Sequence, residues 1–308
     1  VQQYCFVDGI LIIDKPTGIT SHDVVARVRR ILKTMKVGHT GTLDPFATGV
    51  MVVVVGKATR LAQFLDKDEK EYEAMVRFGF ETQTGDRTGA QDPDCGMRRE
   101  EIAQILSSAD WESVISAFRG EIEQVPPMYS AKKIDGKKLY EHARKGEMVE
   151  RKAVKVHISK LEIVGDPELH TPDSALRISV ACSAGTYIRT LAEEIGRLVG
   201  TGAHLEELRR TRAGRFDLSH AVTLNDLAET DDPGARLLPS EMAVSHLASI
   251  SLNEDRAAKT LGGLSTRIHD ADFIDGQRLR MLDESGALLA IGVYDDAEKS
   301  VRPKVVLV

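Results

Sequence analysis

A single carboxylate stands in a glycine- and threonine-rich segment, Val37-Gly38-His39-Thr40-Gly41-Thr42-Leu43-Asp44-Pro45-Phe46-Ala47-Thr48-Gly49. Three glycines let the main chain turn tightly there and come close to a ligand. Pro45 biases Asp44 toward an extended conformation, so its carboxyl should project from a stiff loop. The apolar run from Val50 to Val55 follows at once and reads as a buried strand that anchors the loop. An acid held in this way suits chemistry on a bound ligand. The same pattern suits a buried turn in which Asp44 caps local amides.

The elements that must position this acid follow from the flanking pattern. Gly9 to Asp14 reads as a short buried strand, and Lys15-Pro16-Thr17-Gly18 as a turn. Thr20-Ser21-His22-Asp23 offers N-cap chemistry for a helix with Val24, Val25, Val28, Ile31 and Leu32 on one side. Glu71 to Gly79 reads as a half-buried strand carrying Tyr72, and residues 98–118 as helical. Val154 to Val164 and Ala175 to Ala181 read as adjacent strands, and Ile188 to Val199 as a helix. Arg189 falls in the first turn of that helix, where a cation opposes the macrodipole, so a carboxylate partner is expected. Leu205 to Arg215 carries four arginines and is expected as an arginine-rich helix. From about residue 248, short apolar runs alternate with glycine turns, as in a small β-barrel or sandwich.

Composition narrows the classes. The chain has 308 residues, 42% apolar and 29% charged, enough for a large core. No apolar run approaches the roughly 18 residues of a membrane span. The N-terminal residues lack signal-peptide sections, which leads us to expect a cytoplasmic protein. Cys5, Cys95 and Cys182 form no CxxC pair, so neither a zinc site nor a disulfide framework is expected. Gly56-Lys57-Ala58-Thr59 lacks the Walker spacing, which excludes P-loop nucleotide hydrolysis. Net charge is −6, yet ten basic residues face four acidic ones between Met128 and Lys160. Such a local basic face can still collect counterion-release energy from phosphates. Within it, Lys132 to Gly146 is polar with little to bury, and reads either as an element that closes over a large ligand or as a solvated excursion.

Five ordered motifs strongly resemble the TruB family, the bacterial tRNA pseudouridine-55 synthases. They are Asp14-Lys15-Pro16 with Gly18; Gly38 to Pro45; Pro127-Met128-Tyr129-Ser130-Ala131 with Lys137-Lys138-Leu139-Tyr140; Gly185-Thr186-Tyr187-Ile188-Arg189; and Gly202-Ala203-His204 with Leu208-Arg209-Arg210. The resemblance implies an α+β fold, with a pseudouridine-synthase catalytic domain around a mixed, largely antiparallel sheet over residues 1–247. A thumb insertion at about 124–152 and a PUA-like RNA-binding barrel over 248–308 complete that expectation. It also implies isomerisation of uridine 55 in the tRNA T-loop, with no cofactor and no metal, by a monomer without an obligate protein partner.

Carried over by motif, Asp44 is the catalytic carboxylate, acting as nucleophile or as base. Tyr72 resembles the tyrosine that stacks on the uracil, Arg189 the arginine that pairs with the acid, and Asp86 the second acid of that network. Such pairing should keep Asp44 ionised. His39 resembles the residue that fills the gap left by the extruded nucleotide; a metal ligand or a core histidine are its alternatives. Lys15, Pro16, Thr42, Tyr187 and Leu208 resemble residues lining the site, and Lys132, Lys133, Lys137 and Lys138 an RNA-binding thumb. Gln83 and Phe46 depart from the family's usual acid and leucine. A tRNA-folding module would use the same basic surfaces, but it has no need of the Asp44, Tyr72, Arg189 and Asp86 set. A glycosidic hydrolase with Asp44 and Asp86 as its carboxylate pair fits poorly, because Arg189 would hold both ionised and leave no general acid of raised pKa.

Overall fold

The computed structural model describes residues 7–91, 97–130, 132–134, 136–143, 145–147, 149–165, 174–268 and 272–307. Cys5, Cys95, Ala131, Asp135 and Arg144 lie outside the described residues, as do the side chains of Lys133 and Lys138.

The chain begins β1 (Gly9–Lys15), α1 (Ser21–Ile31), β2 (Val37–Thr40), β3 (Thr48–Val55), α2 (Ala62–Leu65) and β4 (Lys70–Phe78). Then come α3 (Arg99–Ser108), α4 (Trp111–Ser116), β5 (Gly120–Gln124), and an insertion of β6 (Lys133–Ile134), β7 (Lys137–Lys138) and α5 (Leu139–Ala143). The first half closes with β8 (Val154–Ile163), β9 (Ala175–Cys182), α6 (Ile188–Val199), β10 (Ala203–Ala213), β11 (Phe216–Asp217) and α7 (Leu224–Glu229). A second unit holds β12 (Ala248–Ser251), α8 (Glu254–Leu261), β13 (Thr266–Arg267), β14 (Arg278–Leu282), β15 (Leu288–Asp295) and β16 (Ser300–Val306), whose strands form a second sheet.

The large sheet runs β1-β3-β10-β4-β9-β8-β5, with β2 added to β3 and β11 to β10. Only the β3–β10 pairing is parallel, so the sheet is mixed and largely antiparallel, and the fold is α+β. β1 and β3 are apolar at nearly every position because both of their faces are covered. Leu11, Ile13, Met51, Val53 and Val55 pack into the core shared with α1 and α6. Ile10, Ile12, Val50, Val52 and Val54 pack on the opposite side with Leu61, Phe64 and Ile291 of the second sheet. The five-stranded second sheet, β12-β14-β15-β16-β13, is consistent with a PUA-like domain.

Local signals explain the element ends. Thr20 caps α1 in a reciprocal box with Asp23. The 98–118 stretch is two helices, because Asp110 caps a new one at Ser113. The arginine-bearing segment is β10, a strand and not the expected helix. Register shifts at Leu205/Glu207 and Arg210/Arg212 break the alternation that would have revealed it.

One glycine sets the contact between β3 and β10. Gly49 has φ +101°, and a Cβ there would lie 2.1 Å from the Arg210 carbonyl oxygen. Gly49→Ala should therefore lose roughly 3 kcal/mol or more, from left-handed strain plus a backbone clash. Gly185→Ala, at φ +90° with open space around it, should lose only about 1 kcal/mol. Urea-denaturation midpoints of the two variants check the contrast.

Candidate active site

The loop from Gly41 to Ala47, between β2 and β3, is tied down carbonyl by carbonyl. The Lys15 ammonium donates to the Ala47, Pro16 and Pro45 oxygens at 2.7, 2.8 and 3.2 Å. Thr17 donates to the Phe46 oxygen at 2.9 Å, and Ser21 bonds both the amide and the carbonyl of Leu43. From the far side, Arg210 donates to the Gly41 oxygen at 3.0 Å and to the Val50 oxygen at 2.6 Å. These bonds take up most of the loop's main-chain acceptors and leave the Asp44 carboxyl to face Arg189.

That encounter is bidentate: Arg189 Nε lies 2.9 Å from Asp44 Oδ2, and Nη2 lies 3.3 Å from Oδ1. The guanidinium also donates to the Thr84 and Tyr129 carbonyls at 2.7 and 2.8 Å. Its Nη1 stands 3.8 Å from Asp86 Oδ2. Asp86 is held by the hydroxyls of Thr84 and Thr88 and by the Thr88 amide. A cation in the first turn of α6 thus has two carboxylates against it, which is the compensation the macrodipole demands. Burial pushes the Asp44 carboxyl up from its ordinary value and Asp86 adds to that push, while Arg189 opposes it. The direction is opposite to the one expected from pairing alone, because desolvation outweighs the salt bridge.

Asp44 opens into a cavity of about 230 Å³. Thr42, Tyr72, Ser130, Tyr187, Leu208 and Arg210 contribute to its wall, with Lys70 and the turn from Ser183 to Thr186. Tyr72 sits on β4 directly across from Arg210 on β10. Burial raises the Tyr72 phenol above its ordinary range, and the adjacent Arg210 charge draws it down. A larger hollow of about 390 Å³ is lined by Arg87, Arg177 and Arg209 together with Glu73 and Glu207. Neither Asp44, Tyr72 nor Arg189 lines it, so we assign the chemistry to the smaller cavity.

Six of the sequence-derived residues meet at this cavity: Thr42, Asp44, Tyr72, Tyr187, Arg189 and Leu208. Asp86 lies behind Arg189 and acts on the cavity through it. Lys15 corrects its expectation as a lining residue. It is wholly buried with its ammonium on three carbonyls, and desolvation lowers its pKa to about 8. Pro16 is exposed on that same turn, outside the cavity wall. His39 lies on β2, its ring edge-on to His22 at 5.7 Å. Lys137 is exposed in the insertion and Lys132 half-buried.

Of the arginines on β10 only Arg210 is buried, while Arg209 and Arg212 are half-exposed and tied into ion pairs. Arg209 pairs with Asp14 at 2.8 Å and Arg212 with Glu71 at 2.6 Å, while Arg210 is buried on carbonyls. Sequence reasoning missed Arg210, Lys70 and Ser130 as wall residues. The two glycines that flank the Asp44 loop were the available signal for Arg210, whose guanidinium fills the space a Cβ at Gly41 would crowd. Among the described residues, no group of three or more His, Cys, Asp or Glu is placed to hold a metal ion. No described helix is long and apolar enough to cross a membrane.

A crystal structure of a Cbf5–Nop10–Gar1 complex contains a chain that superposes with a TM-score of 0.70 at 28% identity, covering 98% of this chain and 86% of that one. Residues 29–188 match the TruB family pseudouridylate synthase (N terminal domain), and residues 189–245 the tRNA pseudouridylate synthase B C-terminal domain. The chain belongs to the TruB family. It is 38% identical to the tRNA pseudouridine synthase B of Bacillus subtilis (strain 168), with 98% of each chain covered. It is 42% identical to that of Heliobacterium modesticaldum, over 97% of this chain and 95% of the relative.

Arg189→Lys keeps the charge but cannot span both Asp44 oxygens and two carbonyls. With a weaker opposing cation, Asp44 should take up its proton at a higher pH than in the wild type. Carboxyl-carbon NMR titration, with Asp44→Asn to assign the signal, checks this.

Proposed function

We propose that this protein converts uridine 55 in the T-loop of tRNA to pseudouridine, with Asp44 as the essential group. That it is a tRNA pseudouridine synthase, and so an isomerase, follows from its family and full-length relatives. The specific position and the residue roles are our reading. The observation that carries it is the carboxylate held bidentate by a buried arginine at the mouth of an aromatic-walled cavity.

In this reading the nucleotide leaves the folded loop, because stacking otherwise hides the base. His39, on the strand beside the site, occupies the gap, and Tyr72 stacks on the extruded uracil with Tyr187 and Leu208 beside it. The N1–C1′ bond breaks, the uracil turns within the cavity, and a C5–C1′ bond forms on the same sugar. The C5 proton leaves and N1 gains one, so the reaction balances without oxidant, reductant or cofactor. Asp44 either attacks the sugar carbon or removes a proton, and both need its anion. Arg189 holds that anion in place and Asp86 orients Arg189 from behind. The insertion between residues 124 and 152 contributes lysines to the RNA backbone, and the part beyond residue 248 forms a PUA-like domain that contacts the acceptor side of the tRNA. The protein acts in the cytoplasm as a monomer.

Unmodified tRNA transcript carrying tritium at C5 of uridine should release it to water without added metal or nucleotide. Asp44→Asn, which keeps the shape and removes the anionic oxygen, should cut that release by more than about 10³-fold. Retention of the wild-type rate would remove Asp44 from the mechanism. Affinity should fall steeply with salt, and replacing Lys132 and Lys137 by alanine should flatten the log–log slope by about 1–2. Filter binding at several salt concentrations measures the slope.

A further inference from the structure

One wall residue has no assigned task. Ser130 is 5% exposed, lines the cavity, and its hydroxyl has no hydrogen-bond partner among the described residues. A buried, unpaired hydroxyl is costly, and native structures keep few of them without a reason. The other serine and threonine of the adjoining turn are already used. Thr186 donates to the Ser183 carbonyl at 2.9 Å, and the Ser183 hydroxyl accepts from the His157 amide at 2.9 Å.

Ser130 is also fixed where it stands. The preceding carbonyl, of Tyr129, accepts from the same Arg189 nitrogen that bonds Asp44. The Ser130 carbonyl accepts from the Tyr140 amide at 3.1 Å, and Gln124, before the same segment, clamps the Tyr187 main chain at both its amide and its carbonyl. Through Arg189 the serine is therefore tethered to the carboxylate that, on the reading above, works at the sugar. A hydroxyl can both give and take a hydrogen bond. The complementary amphiprotic group on an extruded uridine is the ribose 2′-hydroxyl, the group by which proteins tell RNA from DNA.

We propose that the Ser130 hydroxyl bonds the 2′-hydroxyl of the extruded nucleotide and is a specificity residue for ribose over deoxyribose. The inference rests on the assignment of Asp44 and its cavity as the reacting site.

Ser130→Ala removes the unpaired group and no internal bond, so its thermal midpoint should equal or exceed that of the wild type. Its kcat/KM on a uridine stem-loop should fall about 5- to 10-fold, the worth of one neutral hydrogen bond. Binding is then compared in the Asp44→Asn background, which blocks turnover, using stem-loops with uridine or 2′-deoxyuridine at the target position. Ser130→Ala should weaken the uridine complex about 5- to 10-fold and leave the deoxyuridine complex unchanged. Equal weakening of both complexes, a wild-type kcat/KM, or a fall in thermal midpoint would each overturn the proposal. If Asp44→Asn is inactive while Ser130→Ala is unaffected, only this inference falls; an active Asp44→Asn removes the site itself.

Discussion

The structure turns on one buried guanidinium. Arg189 reaches Asp44 from the loop between β2 and β3, the Thr84 carbonyl from the loop after β4, and the Tyr129 carbonyl from the base of the insertion. Three chain segments far apart in sequence are thereby held around one point. The hydrogen bonds orient the carboxylate, and the charge offsets part of the penalty that burial imposes on it. Asp86 provides a second anion 3.8 Å behind, so the arginine is itself compensated and sits at a helix start that would otherwise repel it.

Beneath this pair lies a second tier of cations that serve the main chain. Lys15, Lys70 and Arg210 are all buried, and each donates to backbone carbonyls. Burial is the leading cause that lowers the pKa of both lysines, and the Arg210 charge adds to it. An acidic chain thus keeps a positive region beside its cavity by spending its charged donors on carbonyl oxygens, not on carboxylates alone. The arrangement suits a site that must admit an anionic polymer while presenting an anionic oxygen of its own.

Much of this was legible in the sequence because the signals are local. The apolar run after Gly49, the capping box at Thr20 and Asp23, and the misfit of Arg189 with its helix dipole each have a physical reading within a few residues. What was not legible depends on tertiary pairing. β10 reads as a charged segment because bulges disrupt its alternation, and because its arginines find partners on β1, β4 and the Gly41 turn. Lys15 was expected to line the site from the family resemblance, and a charge beside a proline turn is ordinarily solvated. Only the folded loop shows that three carbonyls enclose it. Ser130 falls within a recognisable motif, but nothing in the sequence marks its hydroxyl as unpaired, since that is defined by what surrounds it.

The strand order has a consequence for how the molecule is made. β10 lies between β3 and β4, although about 125 residues of chain separate it from β4. A chain emerging from the ribosome can pair β1 with β3, and β4 with β9, as two separate ribbons. Within the sheet, the two ribbons are joined only through Ala203 to Ala213, which pairs with both. This long-range pairing raises the contact order of the fold, so the sheet closes late. Asp44 on the first ribbon and Tyr72 on the second are brought together by the same event, so the cavity is assembled only once the centre of the sheet has been synthesised.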